Sequence, residues 1–182
     1  MAFELPSVRT DGLALTAVMV AALIGGTVHA SSVTPDTTSA PRVRSSDAYI
    51  RAMIDEAGRR SATFRRLVDL ISATNGIVYV EQGECGHSVH ACLALSVTAA
   101  AEYRILRILV DARRPDWEVM ASIGHELQHA VEVLDNPTIT TSQAIYFFYA
   151  LASPTTGAAF ETAGAIKAGN AVRNEVGSYA RR

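Results

Sequence analysis

The sequence predicts an α+β fold in which a small antiparallel sheet packs on a central helix, with further helices around it. Apolar residues recur at the spacing of one helix face in several segments. Two short runs rich in β-branched residues, Ile77 to Glu81 and Tyr103 to Val110, have the composition of strands. The chain has 182 residues, 49% of them hydrophobic and 19% charged, which is typical of one globular domain with its own core.

The first 46 residues differ from the rest in composition. Residues 13–26, LALTAVMVAALIGG, form an uncharged apolar run, and the small-x-small sequence Val28-His29-Ala30 follows. This pattern is typical of a secretory signal peptide spanning residues 1–30, and it predicts an exported protein, periplasmic or secreted, with no stable membrane insertion after cleavage. An uncleaved anchor is the alternative, although the run is shorter than the roughly 20 residues that cross a bilayer. Residues 31–46 are polar and are predicted to form a flexible linker, followed by a single domain over residues 47–182.

Two helices are predicted before the first strand. Residues 47–57 carry apolar side chains on one helix face, and Gly58 follows as a stop signal. Ser61 is placed to cap a second helix, which ends at Asn75-Gly76. Three strands follow and are expected to form one antiparallel sheet: Ile77 to Glu81, Leu93 to Ala99 and Tyr103 to Val110.

Both cysteines lie between the first two predicted strands. In an exported chain a disulfide between Cys85 and Cys92 is expected, and closing this short loop would stabilise the fold by about 2 to 3 kcal/mol. The alternative is a second metal site that combines both cysteines with His87 and His90. An oxidising compartment favours the disulfide, which leaves His87 and His90 as exposed loop residues.

The segment from Gly124 to His129, GHELQH, lies in a predicted helix that begins near Pro115. Positions i and i+4 of a helix share a face, so His125 and His129 can bind the same ion. Neutral imidazole is a good zinc ligand, and Glu126 is placed to accept a proton from the attacking water. This H-E-x-x-H pattern predicts a zinc-dependent hydrolase.

A catalytic zinc site of this kind requires a third protein ligand. Glu132 and Asp135 follow on the same helix, but a straight helix directs Glu132 away from an ion between the two histidines. Glu161 lies near the start of a small-residue helix predicted over residues 158–177, after another apolar helix over residues 142–152. Small residues let two helices approach closely, as a ligand from the last helix would require.

With these residues the sequence resembles the gluzincin branch of the zincin metallopeptidases, in which a glutamate from a separate downstream helix completes the pattern. It is also similar to small exported bacterial proteins that carry HELQHA followed by a FETxAA-like segment, and the resemblance covers roughly residues 77–176. The resemblance implies a zincin-like domain in which His125, His129 and Glu161 hold zinc. It also implies that Glu126 is the general base.

The sequence departs from the gluzincin pattern at Ala165, where many members place an aspartate that orients a histidine. Glu132 or Asp135 is expected to orient the histidine instead. Tyr146 and Tyr149 are either donors to the oxyanion of the reaction or, as is commoner for such residues, part of the aromatic core.

The leading expectation is therefore an exported zinc metallopeptidase that acts on a peptide or protein substrate. One alternative is a catalytically inactive zinc-binding domain that serves as a binding module, and another is a chance motif in a structural helix. The formal net charge of −2 gives no basis for a nucleic-acid partner.

Overall fold

Five strands and five helices make up the described part of the chain, and they give the α+β class that the sequence predicts. The structure is a computed structural model that describes residues 40–86, 89–152 and 160–177, all of which fall within one unit, residues 39–182. The predicted signal peptide, residues 1–30, lies outside these described residues. Among the described helices, none combines the length and the apolar character needed to cross a membrane.

The sheet is mixed, with strand order β1-β2-β5-β3 and with β4 also paired to β5. β1 pairs with β2 in parallel and β2 with β5 in parallel, whereas β3 and β4 are both antiparallel to β5. The strands are β1 (Val43–Arg44), β2 (Gly76–Gln82), β3 (Ala91–Leu93), β4 (Thr98–Ala100) and β5 (Tyr103–Val110).

The prediction of an all-antiparallel sheet is wrong, because β5 inserts between β2 and β3. The chain leaves β2 beside Val110, as shown by the hydrogen bond from Gly83 N to the Val110 oxygen, and begins β3 opposite that same residue. It then runs antiparallel along β5 and returns through a turn at Ala101, whose φ is 51°. The predicted strand Leu93 to Ala99 is accordingly two strands, β3 and β4, separated by a bend.

Val43 and Arg44 also differ from the prediction. The sequence places them in the flexible linker of residues 31–46, but they form β1 and pair with Val78 and Tyr79 of β2. Two residues of regular pairing are enough to fix this end of the supposed linker on the sheet, so the linker prediction is wrong there. Residues 31–39 lie outside the part that the structure describes.

The helices are α1 (Ala48–Arg60), α2 (Ala62–Ser72), α3 (Asp116–Leu134), α4 (Ser142–Ala152) and α5 (Ala163–Gly177). Asp47 caps α1 by accepting a hydrogen bond from Ile50 N, and Ser61 caps α2 by accepting one from Phe64 N, as its position predicts. Acidic residues in the first turn of α3, Asp116 and Glu118, complement the positive end of the helix dipole.

Alternate residues of β2 and β5 are buried, which shows that one face of the sheet carries the core. Helices α1, α2 and α3 contact this layer, and the core includes Val78 and Val80 from β2 and Leu106 and Ile108 from β5. At the far end of α3, Leu134 lies so close to Gly76 of β2 that a Cβ on Gly76 would stand 2.3 Å from its side chain. The motif helix α3 is therefore packed directly on the sheet.

Arg104 joins β5 to the end of α3. Its side chain is 6% exposed, and its guanidinium donates to the backbone oxygens of Val133, Leu134, Asn136 and Ile139. The carbonyls of Val133 and Leu134 belong to the last turn of α3, and those of Asn136 and Ile139 lie just beyond it. A cation is favoured at this end of a helix, where the carbonyl groups point outward. The residue fixes the C-terminal end of α3 against the sheet.

Candidate metal centre

Three side chains from two segments meet beside α3. His125 and His129 project from adjacent turns of this helix, and Glu161 comes from the short segment just before α5. One ligand atom from each residue can be chosen so that all three lie within 4.8 Å of one another, and His125 Nε2 is 3.2 Å from Glu161 Oε2. The structure thus brings together the three residues that the resemblance to gluzincins implies.

The chemistry and spacing of these donors fit a small divalent ion. Two ligands of a tetrahedral zinc ion with bonds of about 2.0 to 2.1 Å stand about 3.3 Å apart. The contact between His125 and Glu161 already has this separation, and the widest separation of 4.8 Å requires only small side-chain shifts. Two imidazoles and one carboxylate are a donor set that suits zinc and leaves a coordination position open.

His129 is oriented by Glu132, three residues further along the same helix. Glu132 Oε2 lies 3.1 Å from His129 Nδ1, and its Oε1 accepts hydrogen bonds from Gln128 Nε2 and Thr162 Oγ1. Burial opposes ionisation of Glu132, but these hydrogen bonds outweigh it and lower the pKa of its carboxyl group. An ionised carboxylate can only accept, so Nδ1 carries the proton and Nε2 of His129 is left with a free lone pair for a metal.

The prediction that Glu132 or Asp135 would replace the missing aspartate at position 165 is therefore confirmed for Glu132. The same contact explains why Glu132 is absent from the metal group: its carboxylate is turned toward the outer nitrogen of His129.

Thr162 sets the position of Glu161. Its hydroxyl accepts a hydrogen bond from Ala165 N, which caps α5, and donates one to Glu132. The predicted helix over residues 158–177 is wrong in its first part, because Phe160, Glu161 and Thr162 are not helical and α5 begins at Ala163. A capping threonine directly after Glu161 thus directs the last helix onto α3.

Glycines allow α3 and α5 to approach closely around the histidines. A Cβ on Gly169 of α5 would stand 3.0 Å from His125 Cβ, and one on Gly124 of α3 would stand 2.7 Å from Val172 Cγ2. A Cβ on Gly164 would stand 2.8 Å from Glu132 Oε1. The expectation that small residues in the last helix permit close packing is confirmed at these positions.

Glu126 lies beside the metal group and is 6% exposed. Its Oε2 accepts a hydrogen bond of 2.7 Å from Leu93 N, on β3, and its Oε1 is 3.9 Å from His125 Nε2. Burial raises the pKa of Glu126 to about 7, although His129 and the Leu93 hydrogen bond act in the opposite direction. The acid is held with one oxygen fixed and the other directed toward the proposed ligands.

Burial also lowers the pKa of His125, and the nearby carboxylate of Glu161 offsets this only in part. Its ring is therefore neutral at neutral pH, which is the form that binds metal. Tyr149 is a buried core residue whose hydroxyl donates to the His129 carbonyl oxygen, so the structure places this tyrosine in the core. Tyr146 is 51% exposed, and its ring contacts Phe160.

The two cysteines form the expected disulfide, Cys85–Cys92, which excludes their use in a second metal site. His87 lies outside the described residues. His90 is exposed, as predicted, but it also lines a cavity of about 230 Å³ beside the metal group, together with Asn170 and Arg173 of α5. The disulfide therefore fixes a loop that forms one wall of this cavity.

Several contributors to this region escaped the sequence interpretation. The Leu93 amide that binds Glu126 is a backbone group and leaves no trace in residue identity. Thr162 carried a detectable signal, since a threonine three residues before Ala165 is a plausible helix cap. Arg173 lies seven residues after Ile166, which also lines the cavity, so the two residues share one face of α5. This shared face is the only sequence signal that connects Arg173 with the site.

These features define a candidate metal-binding site of two histidines and one glutamate, with a buried acid next to it. No family model, no curated protein and no solved structure matches this chain. Its function is therefore inferred from the residues of the site itself.

Proposed function

We propose that this chain is an exported zinc-dependent hydrolase of the zincin type, and that its substrates are peptides or proteins. The observation that carries the proposal is the position of Glu126, a buried acid whose Oε1 lies 3.9 Å from the nitrogen of His125 that faces Glu161. A structural metal site needs no such acid, whereas a hydrolytic site needs a base beside the ion.

When bound, zinc would supply a Lewis acid that polarises a carbonyl group and makes water a stronger acid. His125 Nε2, His129 Nε2 and a Glu161 oxygen would hold it. Glu126 would accept a proton at Oε1 and later pass it to the leaving amine, while Oε2 keeps its hydrogen bond to Leu93. Glu132 would keep His129 in the tautomer that binds metal.

The edge strand β3 supports a peptide as the substrate. β3 lies at one end of the strand order, and Leu93 N is bonded to Glu126 instead of to β5. Ala91, on the same strand, lines the cavity beside the metal group. An extended peptide that pairs with this edge at Ala91, next to the Leu93 amide that Glu126 occupies, would pass close to Glu126. The combination of a motif helix, an antiparallel edge strand and a downstream glutamate is the reason for proposing a zincin-like arrangement.

The decisive experiment compares zinc content with peptide hydrolysis. The purified full chain is expected to bind one zinc per molecule, measured by elemental mass spectrometry, and to cleave members of a mixed peptide library. Glu126→Gln should keep the zinc and lose at least about a hundredfold in hydrolysis, since general-base catalysis contributes that much or more. Glu118→Gln, an equivalent change in the first turn of the same helix, is the matched control. Glu118 pairs with Arg114 outside the metal group, so zinc content and hydrolysis should be unaffected.

Two outcomes would separate the alternatives. A zinc-bound wild-type protein that cleaves no peptide would favour the inactive binding module, and a protein without zinc would favour a chance motif. Unchanged turnover in Glu126→Gln would reject Glu126 as the base. For the ligands, Glu161→Ala should weaken zinc binding on the order of a hundredfold or more, because one of three protein donors is lost. Undiminished affinity would reject Glu161.

A further inference from the structure

The cavity beside the metal group is lined by charged side chains of both signs. Glu126 and Glu161 contribute carboxyl groups, and Arg173 contributes a guanidinium from α5. A divalent cation would neutralise the two carboxylates, and Arg173 would then leave the cavity with a net positive charge. A cavity of this kind attracts an anionic ligand.

Arg173 faces the cavity because of its position on α5. Ile166, Gly169, Asn170 and Arg173 all line the cavity, and their spacing of three, four and seven residues places them on one helix face. Gly169 packs directly against His125. The backbone of Arg173 lies one helical turn beyond Gly169, about 6 Å further along the axis of α5.

The exposed guanidinium of Arg173 lies over an aromatic ring. Its Cζ lies 5.8 Å from the centre of the Trp117 ring on α3, within the range of a cation–π interaction. Within the described ranges, no acidic side chain forms a salt bridge with Arg173. A cation–π contact uses none of the N–H donors of the guanidinium, and these donors match the two oxygens of a carboxylate.

The distance between Arg173 and the metal group sets where the carboxylate would lie. Trp117 precedes His125 by eight residues, about 12 Å along α3, and Arg173 begins about 6 Å along α5 from Gly169. An extended peptide advances about 3.3 to 3.6 Å per residue, so the shorter distance corresponds to about two residues and the longer to about three or four.

We infer that Arg173 is a specificity-determining residue, which selects peptides that carry a carboxylate about two to four residues from the bond that is cleaved. This inference rests on the proposed hydrolase function. The carboxylate belongs either to the free C-terminus of the peptide or to an aspartate or glutamate side chain. In both cases Arg173 contributes a bidentate, charge-assisted contact that a neutral peptide cannot form.

The single tryptophan of the chain, Trp117, provides a direct test. Its fluorescence is measured in the zinc-treated full chain carrying Glu126→Gln, so that the probe is not cleaved. The probes are acetyl-Ala-Ala-Ala with a free carboxylate, the same peptide as its amide, and acetyl-Ala-Ala-Asp amide. A saturable fluorescence change is expected for at least one acidic probe, at concentrations tenfold or more below those needed for the neutral amide. The more tightly bound acidic probe identifies the source of the carboxylate.

Matched variants assign the effect to the site. Arg173→Gln should remove the preference for acidic probes, and Arg173→Lys, which keeps the charge, should retain part of it. Arg66→Gln removes an exposed arginine on α2, outside the cavity, and should leave the preference unchanged. In the active protein the ratio of kcat/KM for acidic to neutral peptides should fall tenfold or more in Arg173→Gln, mainly through KM.

Equal binding of the acidic and neutral probes, or an unchanged preference in Arg173→Gln, would overturn the inference. The role of Arg173 and the proposed hydrolase function can fail independently of each other. If acidic probes bind through Arg173 and no peptide is ever cleaved, the hydrolase proposal fails while carboxylate recognition stands. If peptides are cleaved without regard to their charge, the hydrolase proposal stands and the role of Arg173 is wrong.

Discussion

One face of α3 packs on the sheet through large apolar side chains such as Leu127 and Leu134, whereas the opposite face packs on α5 across glycines such as Gly164 and Gly169. On the first face, contact depends on side-chain volume. On the second, it depends on how closely two backbones can approach, because polar groups of the candidate site lie between them. We therefore expect the first face to determine stability and the second to determine the geometry of the metal group.

Leu127→Ala should cause the largest loss of stability. Leu127 is fully buried, and truncation of such a residue costs about 3 kcal/mol through lost burial and the cavity left behind. Denaturant unfolding of the metal-free protein measures this loss. Zinc affinity of the folded variant should stay within about threefold of wild type, since Leu127 points away from the histidines. The exposed Leu70→Ala is the control, and a tenfold loss of zinc affinity in Leu127→Ala would contradict the division between the two faces.

The double variant Cys85→Ser with Cys92→Ser tests a region that borders the cavity without providing a metal ligand. Loss of a crosslink across eight residues should lower the free energy of unfolding by about 2.5 kcal/mol in the chain-entropy model. Reduction of the wild-type protein should have the same effect on the unfolding curve. Zinc affinity is expected to change little, and a strong loss would show that the disulfide loop supports the metal group.

Gly169→Ala should affect both stability and metal binding. The added methyl group meets His125 Cβ at 3.0 Å, so His125 or α5 must shift by a few tenths of an ångström, at a cost of about 1 to 2 kcal/mol. Because the shift displaces Glu161 relative to the histidines, zinc affinity should fall about tenfold. Gly58→Ala is the matched control: its Cβ meets nothing within 4 Å, and the change should stabilise α1 by about 0.5 to 1 kcal/mol. Unaltered zinc binding in Gly169→Ala would show that the close approach is not needed.

Glu132→Gln should have the smallest effect on folding and a selective effect on the metal. The amide preserves the shape but loses the charge that favours the metal-binding tautomer of His129, and zinc affinity should fall by about 10 to 100-fold. Unfolding of the metal-free protein should change by no more than about 0.5 kcal/mol, as is usual for a change that leaves the packing intact. Isothermal titration with zinc gives the affinity, with Glu118→Gln as the control. Equal zinc affinities of the wild type and Glu132→Gln would show that Glu132 does not contribute to the metal site.

Local patterns predicted most of the helices, because helix periodicity and caps such as Ser61 are contained within a few neighbouring residues. The prediction that Gly58 ends the first helix is wrong, because α1 continues through it to Arg60. The sheet topology was not predicted, because the parallel pairing of β2 with β5 joins residues about 28 positions apart, such as Gly76 and Arg104. Nothing in the composition of either strand distinguishes a parallel from an antiparallel partner when one face of each is buried. The chain order alone suggested a simple succession of hairpins.

The difference between local patterns and contacts of distant residues also explains which parts of the site were predicted. His125, Glu126 and His129 are close in sequence, so their pattern alone placed them on one helix face. Glu161 depended on a family resemblance, since 32 residues separate it from His129. The hydrogen bond of the Leu93 amide to Glu126 and the contact of Arg173 with the Trp117 ring depend on tertiary packing, and neither has a local signature.

The hydroxyl of Thr162 serves two structures at once, since it caps α5 and binds the carboxylate that orients His129. Ordering a chain segment has an entropic cost. If residues 160–162 became ordered only when a metal bound, this cost would weaken metal binding. Here the helix cap imposes that order when the protein folds. The metal group is to this extent preorganised by the requirements of helix formation, so the stability of the first turn of α5 and the affinity for metal are thermodynamically linked.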